Sequence, residues 1–177
     1  MKKRFGDISY SAEDVLLVLN SYEDIFSDFD PRPYTQKSMS GDFINECRKA
    51  SEDKEQVHLR LIVPKKLRNI KEETIIKRRL KEHFKRHTKI KKKKIFDIQK
   101  SGFFWFVLGC VMMIICAFSL DYKGNVWFNI ILTIASPAGW FFMWEGLGKI
   151  LIKAKEHKSD YLFNKKFTDA EIIFESR

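Results

Sequence analysis

Two uncharged apolar runs dominate the pattern. Residues 101–120 and 126–144 contain no Asp, Glu, Lys or Arg, and Asp121-Tyr122-Lys123-Gly124-Asn125 separates them. A helix rises about 1.5 Å per residue, so about 20 residues cross the roughly 30 Å hydrocarbon core of a bilayer. The pattern predicts a transmembrane helical hairpin, with spans at 101–120 and 126–148 and an extracytoplasmic turn at 121–125.

The flanking segments carry amphipathic patterns. Val15, Leu19, Tyr22, Phe26 and Phe29 recur at steps of four and three. With Ser11 as N-cap and acids at Glu13 and Asp14, this spacing predicts a helix over 12–27. The apolar block 15–19 also fits a short strand. Pro31 and Pro33 break the pattern. Ser40 opens a short helix to about Lys49 that buries Phe43, Ile44 and Cys47, and polar residues 51–56 form a loop. Val57, Leu59, Leu61 and Val63 alternate as in a strand that ends at Pro64. Asn69 and Glu72 suggest a capping box, followed by a helix with Ile76, Leu80 and Phe84 on one face and a break near Ser101-Gly102. Residues 171–175 read as a terminal strand, and its simplest partner is the strand at 57–63, because backbone polar groups must be satisfied. The predicted fold is a membrane α-helical hairpin with a small α+β cytosolic domain. That domain is built from 1–100, ending in a basic juxtamembrane helix, and from the tail 149–177.

Charge sets the orientation. The net charge is +10, and residues 81–100 alone hold nine Lys/Arg against two Asp/Glu. Six lysines follow the second span between positions 149 and 166, whereas the turn has only Lys123. The positive-inside rule places both termini in the cytoplasm. Met1-Lys2-Lys3-Arg4 lacks the apolar stretch of a cleaved signal. The three cysteines, Cys47, Cys110 and Cys116, give no disulfide framework and read as small packing residues.

Candidate chemistry is sparse. Lys85, Arg86, Lys89, Lys91, Lys92, Lys93 and Lys94 put seven positive charges into ten residues. Beside a membrane such a run fixes topology and attracts anionic lipid. It lacks the interleaved aromatics that nucleic-acid stacking uses, so no nucleic-acid partner is expected. Trp105, Trp140 and Trp144 fall at the cytosolic interface, and Tyr122 and Trp127 at the outer one. Gly102, Gly109 and Cys116 recur every seven residues, and Ala135, Gly139 and Gly146 share a face of the second span. These stripes permit close helix packing, within the hairpin or against another subunit. Pro137 should kink the second span, with Thr133 or Ser136 re-satisfying its backbone. Glu145 is the one acid near the apolar zone, and Lys149 lies at i+4 to pair with it, which favours an interfacial anchor over ion handling. His83 and His87 have a metal-compatible spacing but need a third ligand such as His58, among disfavouring cations. No phosphate loop, nucleophile elbow or HExxH motif is present, so no cofactor and no enzymatic activity are expected.

Phe29-Asp30-Pro31-Arg32-Pro33-Tyr34, followed by residues 40–46 and the Leu-Arg-Leu strand, resembles a group of small bacterial inner-membrane proteins. In these an Asp-Pro-Arg-Pro segment precedes paired spans. The resemblance covers roughly residues 20–150 and implies a bacterial inner-membrane location, with no activity attached. The expected function is a membrane-anchored binding or scaffolding domain, with an unknown protein partner or a second copy of the chain. The alternative is an oligomeric channel or membrane-perturbing effector gated by the cytosolic domain.

Overall fold

The computed structural model describes residues 3–5, 8–11, 13–119 and 125–177, with side chains from residue 11 onward. The expected turn at 121–125 therefore lies, except for Asn125, outside the described residues. The chain forms two compact units. The first combines Met1–Lys89 with Tyr161–Arg177, and the second is Ile90–Asp160.

In the first unit, β1 (Lys3–Phe5) and β2 (Ile8–Tyr10) form an antiparallel pair. A separate sheet has the order β3 (Asp14–Val18), β4 (His58–Val63), β5 (Glu171–Ser176), and all three strands are parallel. Leu59 on the central strand faces Val15 on one side and Ile172 on the other, and Leu61 likewise faces Leu17 and Phe174. The expected pairing of β4 with the terminal strand is present, and its register starts at His58 opposite Glu171.

The helix predicted over 12–27 is instead β3 followed by a 3₁₀ turn, Tyr22–Ile25. Val15, Leu19, Tyr22 and Phe26 do enter the core, but Phe29 is 98% exposed. The strand wins because pairing with β4 satisfies the backbone of an apolar run that has no internal polar position. Ser21 caps the 3₁₀ turn and Asp24 closes the reciprocal box, so the chain reverses at once. Asp14 is not a helix-start acid. It lies buried beside Arg60, with Arg60 Nε 3.1 Å from its Oδ2, and Arg60 also donates to Glu175 across β5.

The Asp-Pro-Arg-Pro segment folds on itself. Asp30 accepts hydrogen bonds from the Arg32 guanidinium at 2.7 and 2.8 Å and from the Ser38 backbone at 2.7 Å. The Arg32 hydrogen bonds, helped by Ser38, hold its carboxyl far below the usual range.

Helix α1 (Gly41–Ala50) buries Phe43 and Cys47 and half-buries Ile44. Ser40 is its N-cap residue without a side-chain bond. The Cys47 thiol is pushed up to about 12 by burial, so it stays protonated and packs as an apolar group. Lys166 donates to the carbonyls of Ser51 and Lys54, just beyond the α1 C-terminus. Helix α2 (Ile70–Ser119) is continuous, so the expected break at Ser101-Gly102 is absent. Its capping box is altered. Glu72 accepts from the Asn69 side-chain amide, while the Asn69 backbone N–H donates to the Tyr22 hydroxyl. Ile76, Leu80 and Phe84 are fully buried, with Phe84 stacked on Phe167 of α4 (Ala154–Asp169) at 4.9 Å.

The second unit holds the rest of α2, then α3 (Val126–Gly148) and a π-helical turn, Lys149–Lys153, leading into α4. The Asn125 side chain caps α3 by accepting from the Phe128 N–H. Helix α3 runs through Pro137, and the Thr133 hydroxyl donates to the Asn129 carbonyl rather than re-satisfying the groups that proline frees.

Candidate functional site

The two apolar helices meet through their glycines. A side-chain Cβ at Gly109 would stand 2.5 Å from Met143 N and 2.6 Å from Gly139 O, and one at Gly146 would collide with the Phe106 backbone. Gly102 faces Gly146 in the same way. The small-residue stripes thus face each other within one chain, and no side chain fits between them. Cys116 is buried on this line, while Ala135 is half-exposed and lies outside the glycine contacts.

Outward, the same helices are apolar. Phe104, Ile115, Phe118, Ile131, Ile134 and Phe141 are all exposed. Both helices are long and apolar enough to cross a membrane, with mean hydropathy 2.2 and 1.5, and only 17% and 6% of those apolar stretches are buried. A core helix of a soluble protein would bury them.

Charge gathers where the apolar runs begin and end. On α2, Ile90, Lys93, Lys94, Asp97, Ile98 and Ser101 recur at i, i+3, i+4, i+7, i+8 and i+11, which is one helical face. Together with Lys149 and Lys153 they line an open cleft of about 500 Å³. The π-turn carries Lys149 and Lys153. A turn with i→i+5 bonds is a local widening that often marks a working site. Glu145 pairs with Lys149 at 3.3 Å, as its i+4 spacing predicts, and with Lys153 at 3.5 Å. The Lys149 ammonium also stands 5.1 Å over the Trp105 ring, and Trp105 packs on Phe142. Trp140 and Trp144 meet edge to face, half-exposed, and Trp127 is exposed near the other end of α3.

The lysine run is divided by this geometry. Lys85, Arg86 and Lys89 are exposed in the first unit. Lys91 is bound to Asp160 at 2.6 Å, a bridge between α2 and α4 at the base of the second unit. Lys92 is exposed and outside the cleft, whereas Lys93 and Lys94 line it without an ion pair among the described residues. Lys153, Asp97, Ile90 and Ile98 were not legible as site residues. Helical spacing from Lys93 would have pointed to the last three, but Lys153 reaches the cleft only because the chain returns alongside α2.

The His83 and His87 rings lie 4.3 Å apart, yet no third ligand joins them, and no group of three metal-binding side chains occurs among the described residues. Burial first, then His87, Arg79 and Arg86, lower His83 to about 4, which keeps it neutral. A second cleft in the first unit, near the start of β4, is lined by residues of mixed charge including Glu55, Lys165, Lys166 and Glu171.

No protein-family model matches the chain, and comparison with curated proteins and with solved structures finds no match.

Proposed function

We propose that the chain is a non-enzymatic integral membrane protein that anchors a small binding or scaffolding domain at the cytosolic surface of a bacterial inner membrane. The observation that carries this reading is the exposure of apolar side chains along both long helices. In water such a surface is a severe aggregation liability; in lipid it is the matching solvent. The basic residues on both flanks support an orientation with both termini in the cytoplasm. The first unit takes its strands from both ends of the chain, so the helical pair is an excursion from one domain rather than a tail.

Membrane fractionation tests the reading. The protein should remain in the pellet after alkaline carbonate, and reporters should be cytosolic at both termini and extracytoplasmic at residue 123. Release by carbonate, or a cytosolic reporter at residue 123, would overturn it. The channel alternative finds its support in a notch containing Ser119, Asn129, Thr133 and Ser136. Ion flux from liposomes containing the purified protein would favour that alternative.

A further inference from the structure

We infer that the cleft between α2 and the π-turn is a discrete binding site for one anionic phospholipid, its phosphate held by Lys93, Lys94 and Lys153. This rests on the membrane reading above and goes further. A basic collar attracts many lipids diffusely, whereas a cleft selects one.

Three features of the cleft converge on a phospholipid. First, its position along the chain is the polar–apolar boundary. Ser101 opens the uncharged run of α2, and Lys149 follows the last residues of α3. In a bilayer that boundary is the headgroup layer. Second, its lining is amphipathic. Ile90 and Ile98 and the lysine stems give an apolar wall, and the ammonium groups give a basic rim. A soluble phosphate needs no such wall, but a glycerol backbone with acyl chains does. Third, the charge is unbalanced. Four lysines line the cleft against Asp97, and Glu145 draws on Lys149 and Lys153, which leaves a net excess of two positive charges. A phosphodiester headgroup supplies a compact negative charge that flexible ammonium groups can reach from several directions.

The lysines have different roles. Lys149 is held by Glu145 and Trp105, so it forms a fixed wall. Lys93 and Lys94 have no ion pair among the described residues, and Lys153 has only its long 3.5 Å pairing with Glu145 and a side chain 55% exposed, so these three can turn to a phosphate. The Lys91–Asp160 bridge lies at the base of the same unit and supports the cleft rather than binding within it.

The full chain, purified in a neutral detergent, is titrated with phosphatidylglycerol or with phosphatidylcholine, and retained lipid is counted by native mass spectrometry. The site predicts one retained phosphatidylglycerol and little phosphatidylcholine. The triple variant K93A/K94A/K153A should lose this retention by about tenfold or more, and K93R/K94R/K153R should keep it. The control K85A/K89A/K92A removes the same charge from outside the cleft and should change retention by less than about threefold. Equal losses in the two alanine triples would overturn the site in favour of a diffuse collar. Full competition by inorganic phosphate or by soluble glycerophosphoglycerol would overturn the lipid assignment. Failure of lipid retention in a protein that still resists carbonate would sink the site and leave the membrane reading standing. Release by carbonate would sink the membrane reading itself.

Discussion

The Tyr22 hydroxyl donates a 2.9 Å hydrogen bond to Glu73 Oε1 and accepts one of 3.0 Å from the Asn69 backbone N–H. One phenol thus joins the turn after β3 to the first turn of α2. Arg68 completes the arrangement by donating to both Glu73 oxygens, at 2.5 and 3.0 Å. Glu73 is 5% exposed, so its charge needs these partners. Burial raises its pKa, but the Arg68 and Tyr22 hydrogen bonds outweigh that and leave it below the usual carboxylate value. The Tyr22 ring meanwhile sits edge-on to Phe174 at 5.8 Å.

Tyr22→Phe keeps the ring and removes the hydroxyl. It leaves a buried carboxylate oxygen and a helix-start N–H each short of one partner, which costs about 1–2 kcal/mol. Amide hydrogen exchange in β3, β4 and β5 should accelerate roughly tenfold in the full-length protein. Unchanged exchange would show that water replaces the hydroxyl at no cost.

Arg60 lies between two acids, Asp14 and Glu175, on the sheet. The Asp14 side chain is 1% exposed. Arg60→Ala removes the cation beside that charge, leaving it the Ser11 N–H at 2.6 Å and the His58 ring at 3.4 Å, and should destabilise the first unit by about 1–3 kcal/mol. Arg60→Ala/Asp14→Leu removes both partners and should recover part of the loss. Urea midpoints of the first unit, followed by limited proteolysis, read the difference. A double variant no better than the single one would mean that the loss does not come from Asp14.

How far these features were legible depends on the range of the contacts. The alternation of Val57, Leu59, Leu61 and Val63 is local, so β4 could be read directly. The helical face Ile76, Leu80, Phe84 is local too, and all three are buried. The helix expected over 12–27 failed because its spacing fits two geometries. A strand plus a 3₁₀ turn also brings Val15, Leu19, Tyr22 and Phe26 to the core, and only pairing with β4, about 40 residues away, decides between them. In the basic region, the lysine run was visible as composition. Its division into Lys91 in a bridge, Lys93 and Lys94 in a cleft and Lys92 exposed depends on where α3 and α4 return, which no local pattern encodes.

Phe84 illustrates the core's reliance on both chain ends. It stacks on Phe167 and meets Phe163 edge-on at 6.0 Å. Phe84→Ala removes one face of this cluster from a fully buried position and should cost about 3–5 kcal/mol. The loss should appear in the proteolytic stability of the first unit, while tryptophan fluorescence, which arises only from positions 105, 127, 140 and 144, stays unchanged. A shift in tryptophan emission would show that the two units unfold together.

The glycine contacts make a sharper demand. Gly109→Leu places a side chain where Met143 N and Gly139 O already stand. Overpacking of this kind costs about 1–3 kcal/mol or separates the helices. Cysteines placed at 105 and 142, where the native rings pack 5.0 Å apart, should be joined readily by a short bifunctional thiol reagent in the parent background and poorly with Gly109→Leu added. Equal cross-linking would mean that the hairpin is held by other contacts.

Mild acid should weaken the first unit through His83. His83 is lowered from an ordinary 6.5 to about 4 by burial and by His87, Arg79 and Arg86. Between these values the unfolded chain holds a proton that the folded chain does not. His83 therefore contributes stability that is fully present above pH 6.5 and is lost as the pH falls towards 4. Glu73, whose depressed value lies below 4.5, loses its own contribution only at lower pH, and within the window from 6.5 to 5 a variant at position 83 separates His83 from the other histidines. His83→Gln cannot charge. Urea midpoints of the first unit should fall from pH 6.5 to 5 in the parent and fall less in the variant. Parallel curves would show that His83 is protonated in the fold without penalty, with its charge relieved by solvent rather than opposed by Arg79 and Arg86.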